Sequence, residues 1–527
     1  MRGAIAAGHE MTARAGAAAL EAGGTAVDAV VAAGVMSWAA ESALTGPCGG
    51  GFVLVRPARG GPSLLDAFAA IPGRDVPGSR RLVDMESVLV PFDEQTTQVF
   101  HIGPATCAVP GVLAGLHAVH RRFGRLPWRD LAMPAAEAAS AGVPTNAGQS
   151  RVFEAIRVIL TSTPEARTIF EPDGRYVAEG DAVRQPELAE SIARLAERGP
   201  DELYRGDLGR AVVAHQHETG GRLTMADLAA YRPVWRRPLR IGYRDVELST
   251  NPPPSSGGVL IAYMLAVLGP VTEGMAAGDA STLRALAEAM RAAGRRRDAA
   301  FSRLLHRGGL ARHLLADASV RAGRDEVAAA LRGAPTESRP LVSDRGTTHI
   351  SVVDAEGNAA AFTASNGSHS GVFVPGTGLH LNNMMGEEDL AAGRHLSPGT
   401  RLTSMQAPTI LERDGAVRLV VGSSGSNRLR SAITQVIRNV VDHGMDVQDA
   451  VSFPRVHVEG GRLDCEGGLD PAQLDRLERW GEQLVRFEGL NLYFGGANAV
   501  LADEDGTLSA AGDPRRSCFG LVLGEAS

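Results

Sequence analysis

The chain has 527 residues, enough for one large α/β domain or two ordinary ones, and its 44% hydrophobic, 21% charged composition is globular. All 53 basic residues are arginine, which excludes Schiff-base and pyridoxal-phosphate chemistry, Ser-Lys dyads and the P-loop lysine, each of which needs an amine. A formal net charge of -7 with scattered Arg argues against nucleic acid or an anionic membrane as partner, and no apolar run approaches bilayer-spanning length.

Met1 to His9 contains one Arg but no apolar core of signal-peptide length, so the cytoplasm is the expected compartment. Residues 10–40 predict two Ala-rich helices separated by Gly23-Gly24, with Thr25 capping the second and Asp28 three residues on. Gly46-Pro47-Cys48-Gly49-Gly50-Gly51 leads into an apolar strand at Phe52-Val53-Leu54-Val55. From about 125 to 335 the pattern is mostly helical. Pro252-Pro253-Pro254-Ser255-Ser256-Gly257-Gly258 interrupts it and predicts neither helix nor central strand. Gly333 to Pro340 reads as an exposed linker.

At residue 347 the character changes. His349 to Asp354 predicts a strand, Ala355-Glu356-Gly357-Asn358 a turn, and Ala359 to Ser365 the returning strand. A turn-rich stretch ends in Leu379-His380-Leu381-Asn382-Asn383. A second hairpin spans about 408–422 around Asp414-Gly415, and Gly422-Ser423-Ser424-Gly425-Ser426 precedes a helix from about Asn427 to His443. Hairpin-paired strands with helices before and after predict a layered arrangement around antiparallel sheet.

Cys48, Cys107, Cys465 and Cys518 lie far apart without CxxC spacing, so they predict buried thiols rather than a zinc site or a disulfide scaffold. HExxH, the P-loop and a GxGxxG after a strand are absent. The string nearest a GxSxG elbow, Gly367-Ser368-His369-Ser370-Gly371, has His at its centre. What remains is Gly346-Thr347-Thr348-His349. A Thr hydroxyl inside a chain is a poor nucleophile; as first residue it gains a free α-amine of pKa near 8 that accepts the hydroxyl proton. Freeing that amine requires the bond after Gly346 to break, and the small Gly lets Oγ1 reach the preceding carbonyl. Alone, this string is weak evidence, and strand propensity favours a plain strand start.

Its surroundings carry more. Thr347 to Asp354 with Gly357-Asn358, together with Gly49-Gly50-Gly51-Phe52, Val109-Pro110-Gly111, Asp227-Leu228-Ala229-Ala230-Tyr231, Pro252 to Gly258, Leu381-Asn382-Asn383, Leu402-Thr403-Ser404-Met405 and Asp513-Pro514-Arg515, resembles the gamma-glutamyltransferase family of N-terminal-nucleophile hydrolases over about residues 3–516. The resemblance implies an α+β fold: a four-layer αββα sandwich of two stacked antiparallel sheets flanked by helices. It implies a precursor that cleaves itself into a large-subunit segment, 1–346, and a small-subunit segment, 347–527, which stay intertwined. Thr347 would be the nucleophile, Ser365 the hydroxyl that bonds its amine, and the backbone N–H groups of Gly425 and Ser426 the oxyanion hole, for which a Gly-rich turn at a helix start is physically suited.

The implied substrate pocket departs from the family. Phe68 stands where the family carries an Arg for the glutamyl α-carboxylate. Thr403 and Ser404 match a hydroxyl pair on that carboxylate. Glu387, beside Glu388, matches the acid that binds the α-amino group, and Asn366 is one residue out of step with a substrate-binding Asn. Losing a charge-assisted hydrogen bond costs on the order of 1.5–3 kcal/mol, and Phe68 is expected to make the pocket wall apolar. The segment between Asn383 and Arg401 is also short beside relatives that carry a lid loop there. The expectation is a self-processing hydrolase or acyltransferase that cleaves an amide through an acyl-threonine, with a donor other than glutathione and with water or an amine as acceptor. Acylases of glutaryl-type side chains and enzymes of secondary-metabolite pathways are the related alternatives, and a catalytically silent scaffold is the alternative outside enzymes. No metal or organic cofactor is required; nucleic acid and membrane are not expected partners.

Overall fold

The computed structural model of the chain describes residues 3–76, 78, 81–91, 97–333, 346–387, 397–425 and 428–524. The expected linker, from 334 onward, lies outside them, as do Ser426 and Glu388.

Two antiparallel sheets form the middle of the molecule. The first has seven strands in the order Phe519–Leu523, Gly3–Ala7, Thr348–Asp354, Ala359–Ser365, Gly50–Arg56, Ser63–Ala67 and Val234–Arg236. The second has six, in the order Leu508–Ala511, Gly496–Ala502, Ala416–Ser424, Thr409–Arg413, Val246–Thr250 and Leu239–Tyr243. Each sheet draws strands from both sides of Thr347.

Three cores separate four layers, as the α+β sandwich requires. Outside the first sheet, Val53, Val55, Ile350, Val352 and Phe362 pack on the helices Glu10–Glu21, Ala26–Ala40, Val112–Phe123, Trp128–Ala141 and Pro186–Arg198. Outside the second, Leu248, Leu411, Leu419 and Val421 pack on Gly257–Val271, Ala280–Arg295 and Arg428–Val441. Phe52, Leu54, Val353, Ile410, Val420 and Val500 fill the space between the sheets. A strand such as Gly50–Arg56 is thus buried on both faces, which is why it reads as a continuous apolar run rather than an alternating one.

Helix Ala26–Ala40 is buried at every position, and Thr25 and Asp28 form a reciprocal capping box at its start, an arrangement worth about 1 kcal/mol. Asp28 also accepts the Arg125 backbone N–H at 3.0 and 2.9 Å, tying that helix end to the loop after Val112–Phe123 in the same layer. The expected hairpins stand at Thr348–Asp354 with Ala359–Ser365 and at Thr409–Arg413 with Ala416–Ser424. One expectation needs correction. Gly257 and Gly258 open a helix, Gly257–Val271, because the Ser404 carbonyl receives the Ser256 N–H at 2.7 Å and packing against Met405 and Asn251 leaves no room for a β-carbon at either glycine. Cys48, Cys107 and Cys465 are buried free thiols, and Cys518 is partly buried. Among the described residues no helix is long and apolar enough to cross a membrane.

Polar groups also bridge the sheets. His349 is fully buried, with Nδ1 2.7 Å from Thr363 Oγ1 and Nε2 2.9 Å from Ser351 Oγ. Ser351 Oγ donates to the Asn498 carbonyl at 3.1 Å, and Asn498 Nδ2 donates to the His349 carbonyl at 2.7 Å. Gly422 faces the imidazole so closely that a β-carbon there would overlap the ring. Gly422→Ala is therefore expected to destabilise the fold by about 1–3 kcal/mol in urea unfolding. Gly242→Ala, on a strand where nothing lies within 4 Å of the added carbon, should change stability by less than about 0.5 kcal/mol.

Candidate active site

Strand Thr348–Asp354 is third in the first sheet, held on one side by Gly3–Ala7 and on the other by Ala359–Ser365. Thr347 sits at its head, 2% exposed. Thr348 pairs with Ala364 across the hairpin, which brings the end of the returning strand, Ser365, beside the Gly346–Thr347 junction. Ser365 Oγ donates to the Gly346 carbonyl and accepts the Gly367 N–H at 2.8 Å. The carbonyl preceding Thr347 is therefore already polarised by a hydroxyl in the uncut chain. Gly346 is required by space: a β-carbon would come 2.8 Å from the Gly367 carbonyl oxygen and 3.1 Å from that of Ala43.

The Gly-rich loop arrives from the second sheet. Strand Ala416–Ser424 ends at Ser424, which lines a cavity together with Thr347, Thr348 and His349. Gly425 follows with φ +108°, a conformation that favours glycine, and a β-carbon there would stand 2.7 Å from Gly495 Cα. Its carbonyl accepts from the Arg428 N–H at 3.1 Å as helix Arg428–Val441 begins.

Glu387 reaches the same place from another loop. It is 7% exposed and accepts the Ser368 N–H at 3.2 Å. Ser368 in turn lines, with Gly346, a second cavity at the junction. Gly367, at φ +73°, leaves the space that Asn383 and Glu387 occupy. Thr347, Gly346, Ser365, Gly425 and Glu387 are thus brought together.

Four further predicted residues make the following contacts. Phe68 is 2% exposed and stacks on Phe52 with ring centroids 5.4 Å apart, inside the inter-sheet core. It lines neither of these two cavities. Thr403 Oγ1 donates to the Pro254 carbonyl at 2.7 Å, and Ser404 Oγ accepts the Gln406 N–H at 3.0 Å. The Thr403 hydroxyl and the Ser404 carbonyl, which accepts from Ser255 Oγ at 2.9 Å, hold the Pro252–Ser256 turn, and neither residue lines these two cavities. Asn366 Nδ2 donates to the His380 carbonyl at 3.3 Å while its side chain packs on Gly46 and Gly49, where a β-carbon would come within 2.8 and 2.6 Å.

Two residues of the site escaped the sequence reading. Arg516 lines both cavities. Glu41 closes helix Ala26–Ala40, accepts from Thr12 Oγ1 at 2.7 Å and from Thr348 Oγ1, and lines the cavity of Thr347. Complete burial pushes its carboxyl up to about 7, the two hydroxyl bonds opposing. Burial likewise pushes His349 down to about 3, so the ring two residues from Thr347 is neutral. The only sequence signal for Glu41 is an acid ending a mostly apolar helix; Arg516 merely follows the Asp513-Pro514-Arg515 landmark. Among the described residues no group of three or more His, Cys, Asp or Glu is placed to hold a metal ion.

The gamma-glutamyltranspeptidase family model matches residues 12–521. The chain belongs to the gamma-glutamyltranspeptidase family. It is 33% identical over 525 residues to the acylase ACY 1 proenzyme of Pseudomonas sp. strain SE83, covering 97% of this chain and 91% of that relative. It is 31% identical over 549 residues to the glutathione hydrolase proenzyme of Pseudomonas aeruginosa, covering 99% and 94%. In three dimensions it matches cephalosporin acylase from Bacillus halodurans with a TM-score of 0.85 at 23% identity, covering 100% of this chain and 96% of that one, a likeness of fold. Family membership makes the protein an enzyme of the N-terminal-nucleophile hydrolase type, of the hydrolase and acylase class.

The Glu41 shift has a measurable consequence. As pH rises above 4.5 the unfolded chain ionises this carboxyl first, while the folded chain keeps its proton until about 7. The folded state binds more protons over that window, so wild-type stability falls with rising pH, by on the order of 3 kcal/mol in all from this group. Glu41→Gln should remove that slope: its unfolding free energy relative to wild type is expected to grow from pH 4.5 to 7 and level off above, measured by urea titration across that range.

Proposed function

We propose that the protein is a self-processing hydrolase or acyltransferase in which Thr347 is the nucleophile. The single observation that supports this most is the Ser365 hydroxyl on the carbonyl of Gly346, at the head of a central strand and beside the Gly-rich loop. In self-cleavage Thr347 Oγ1 adds to the Gly346 carbonyl carbon, the C–N bond to Thr347 breaks, and the nitrogen leaves as the α-amine. Water then hydrolyses the Gly346–Thr347 ester. In turnover the free amine takes the proton from Oγ1 as it attacks the substrate amide. That proton passes to the departing amine, and an acyl-threonine ester remains for water or an acceptor amine. The developing oxyanion would rest on N–H groups of the Gly425 loop, to which positioned donors contribute about 10²–10³ in rate. The processed segments, 1–346 and 347–527, would remain one structural unit, because strands from each run side by side in both sheets.

The donor in this proposal is an amide other than glutathione. The family's carboxylate-binding Arg is replaced by Phe68, whose ring lies in the core, and the curated relatives include a proenzyme named acylase beside those named glutathione hydrolase. A chromogenic glutaryl anilide should therefore be a better substrate than the gamma-glutamyl anilide, compared by kcat/KM on the same preparation.

The nucleophile is tested by intact mass after denaturation. Wild type should give two fragments, the smaller beginning at Thr347, and Thr347→Ala one uncut chain. Ser365→Ala should slow cleavage by about 10²-fold or more. A wild type that stays whole would favour the silent scaffold.

A further inference from the structure

Helix Val112–Phe123 carries Ala114, His117, Ala118 and Arg121 along one face, at spacings of three and four residues, with Arg122 beside them. That face is one wall of an open cleft of about 640 Å³. Asp201, Tyr204 and Arg205 form a second wall, Tyr231 and Arg232 a third. None of these residues lines either cavity beside Thr347. The two tyrosines are fixed in place. Tyr204 Oη donates to the Pro110 carbonyl at 3.1 Å, Tyr231 Oη donates to the Phe68 carbonyl at 2.7 Å, and their rings stack with centroids 5.8 Å apart.

The cleft gathers positive charge on a chain whose formal net charge is -7. The guanidiniums of Arg121, Arg122, Arg205 and Arg232 line it against the single carboxylate of Asp201. That carboxylate is taken by Arg205, whose Nη1 lies 2.5 Å from Oδ1. Arg205 Nη2 and Arg232 Nη1 both donate to the Ala229 carbonyl, at 3.3 and 2.8 Å, so two cations converge on one neutral acceptor. Arg122 rests 4.3 Å from the Trp235 ring centroid. Among the described residues no carboxylate pairs with Arg121, Arg122 or Arg232. His117 registers the field: burial first, then the charges of His120 and Arg121, push it below the usual imidazole range, with Asp201 opposing.

The dipole of a helix favours cations in its last turn, which accounts for Arg121 and Arg122. It does not account for Arg205 and Arg232, which other segments bring to the same cleft. Like charges lining one concave surface repel each other and draw in anions. Guanidinium forks arriving from three segments need acceptors that face several directions. A carboxylate offers two oxygens in one plane, whereas linked phosphates offer oxygens all round each phosphorus.

We propose that this cleft is a second ligand site, separate from the cavities of Thr347, and that its ligand is a small oligophosphate anion, free or carried on a nucleoside. The proposal is independent of the nucleophile assignment and is tested on the full chain by equilibrium dialysis with radiolabelled pyrophosphate at fixed ionic strength. Saturable binding of one anion per chain is expected. Arg121→Gln and Arg232→Gln, both at exposed positions, should each weaken it by about tenfold or more. Arg479→Gln, at an exposed arginine on the helix Pro471–Arg479 that does not line the cleft, should leave it unchanged. Citrate should displace the label only at concentrations about tenfold or more above those of unlabelled pyrophosphate. ATP separates the two sources: displacement at lower concentration than pyrophosphate assigns the site to a nucleotide, at equal or higher concentration to the oligophosphate itself, and either supports the site. Absence of saturable binding overturns the proposal, as does binding that survives both Arg121→Gln and Arg232→Gln or falls equally in Arg479→Gln. Citrate competing as well as pyrophosphate overturns the phosphate assignment.

Discussion

His349 stands between two sheets with both ring nitrogens bonded, to Thr363 and Ser351, while Ser351 and the His349 carbonyl are bonded to Asn498 on the opposite sheet. Inter-sheet packing by Ala, Leu and Val alone tolerates sliding, because dispersion contacts are non-directional. Buried polar groups do not, since each must meet its partner or forfeit a desolvation penalty of about 1–3 kcal/mol. The cluster therefore pins one sheet against the other two residues from Thr347, and Gly422 yields the space the imidazole needs. Thr347 heads a strand of one sheet and the Gly425 loop extends a strand of the other, so in the proposed mechanism the distance between nucleophile and oxyanion donors would be set by this registration.

The site is assembled by close approaches of backbone. Gly346 against Gly367 and Ala43, Gly425 against Gly495, and Gly367 against Asn383 and Glu387 are contacts that a side chain would block. They converge on a junction fed by remote parts of the chain: the end of an N-terminal helix at Glu41, the hairpin of Thr347 and Ser365, and the last turn at Arg516. Gly8 belongs to the same set, since a β-carbon there would stand 2.7 Å from Thr348 Oγ1 and collide with the Glu41 carboxyl.

Much of the local structure is legible from the sequence because its causes are local. The Thr25–Asp28 capping box, the hairpins turning at Glu356-Gly357 and Asp414-Gly415, and the helix after the Gly-rich loop each follow from neighbouring residues. Sheet order does not, because Gly3–Ala7 finds its partners at Ser351–Asp354 and Phe519–Leu523, hundreds of residues away. The same divide runs through the site. Thr347, Ser365 and Gly425 are carried by motif, whereas Glu41 and Arg516 acquire their character from burial beside Thr348 and from the stem crossing Gly496. Phe68 shows the reverse: its place in the motif is visible in the letters, yet only the structure shows its ring stacked on Phe52 between the sheets.

A cleft lined by a carboxyl that titrates near neutrality is electrostatically poised before any substrate arrives. Glu41 is kept neutral because its two hydroxyl partners offset only part of the cost of ionising in a dry site. In the proposed reaction a new α-amine appears at Thr347, one residue from the Thr348 hydroxyl that holds this carboxyl. A positive charge there lowers the cost of ionising Glu41, so cleavage itself would shift the carboxyl toward its charged form. The same event removes the Gly346 carbonyl from Ser365 and leaves that hydroxyl free to meet the amine. Cutting one bond would thus reset two polar groups that the uncut chain holds in a different state, which is how a single set of residues can serve both maturation and turnover.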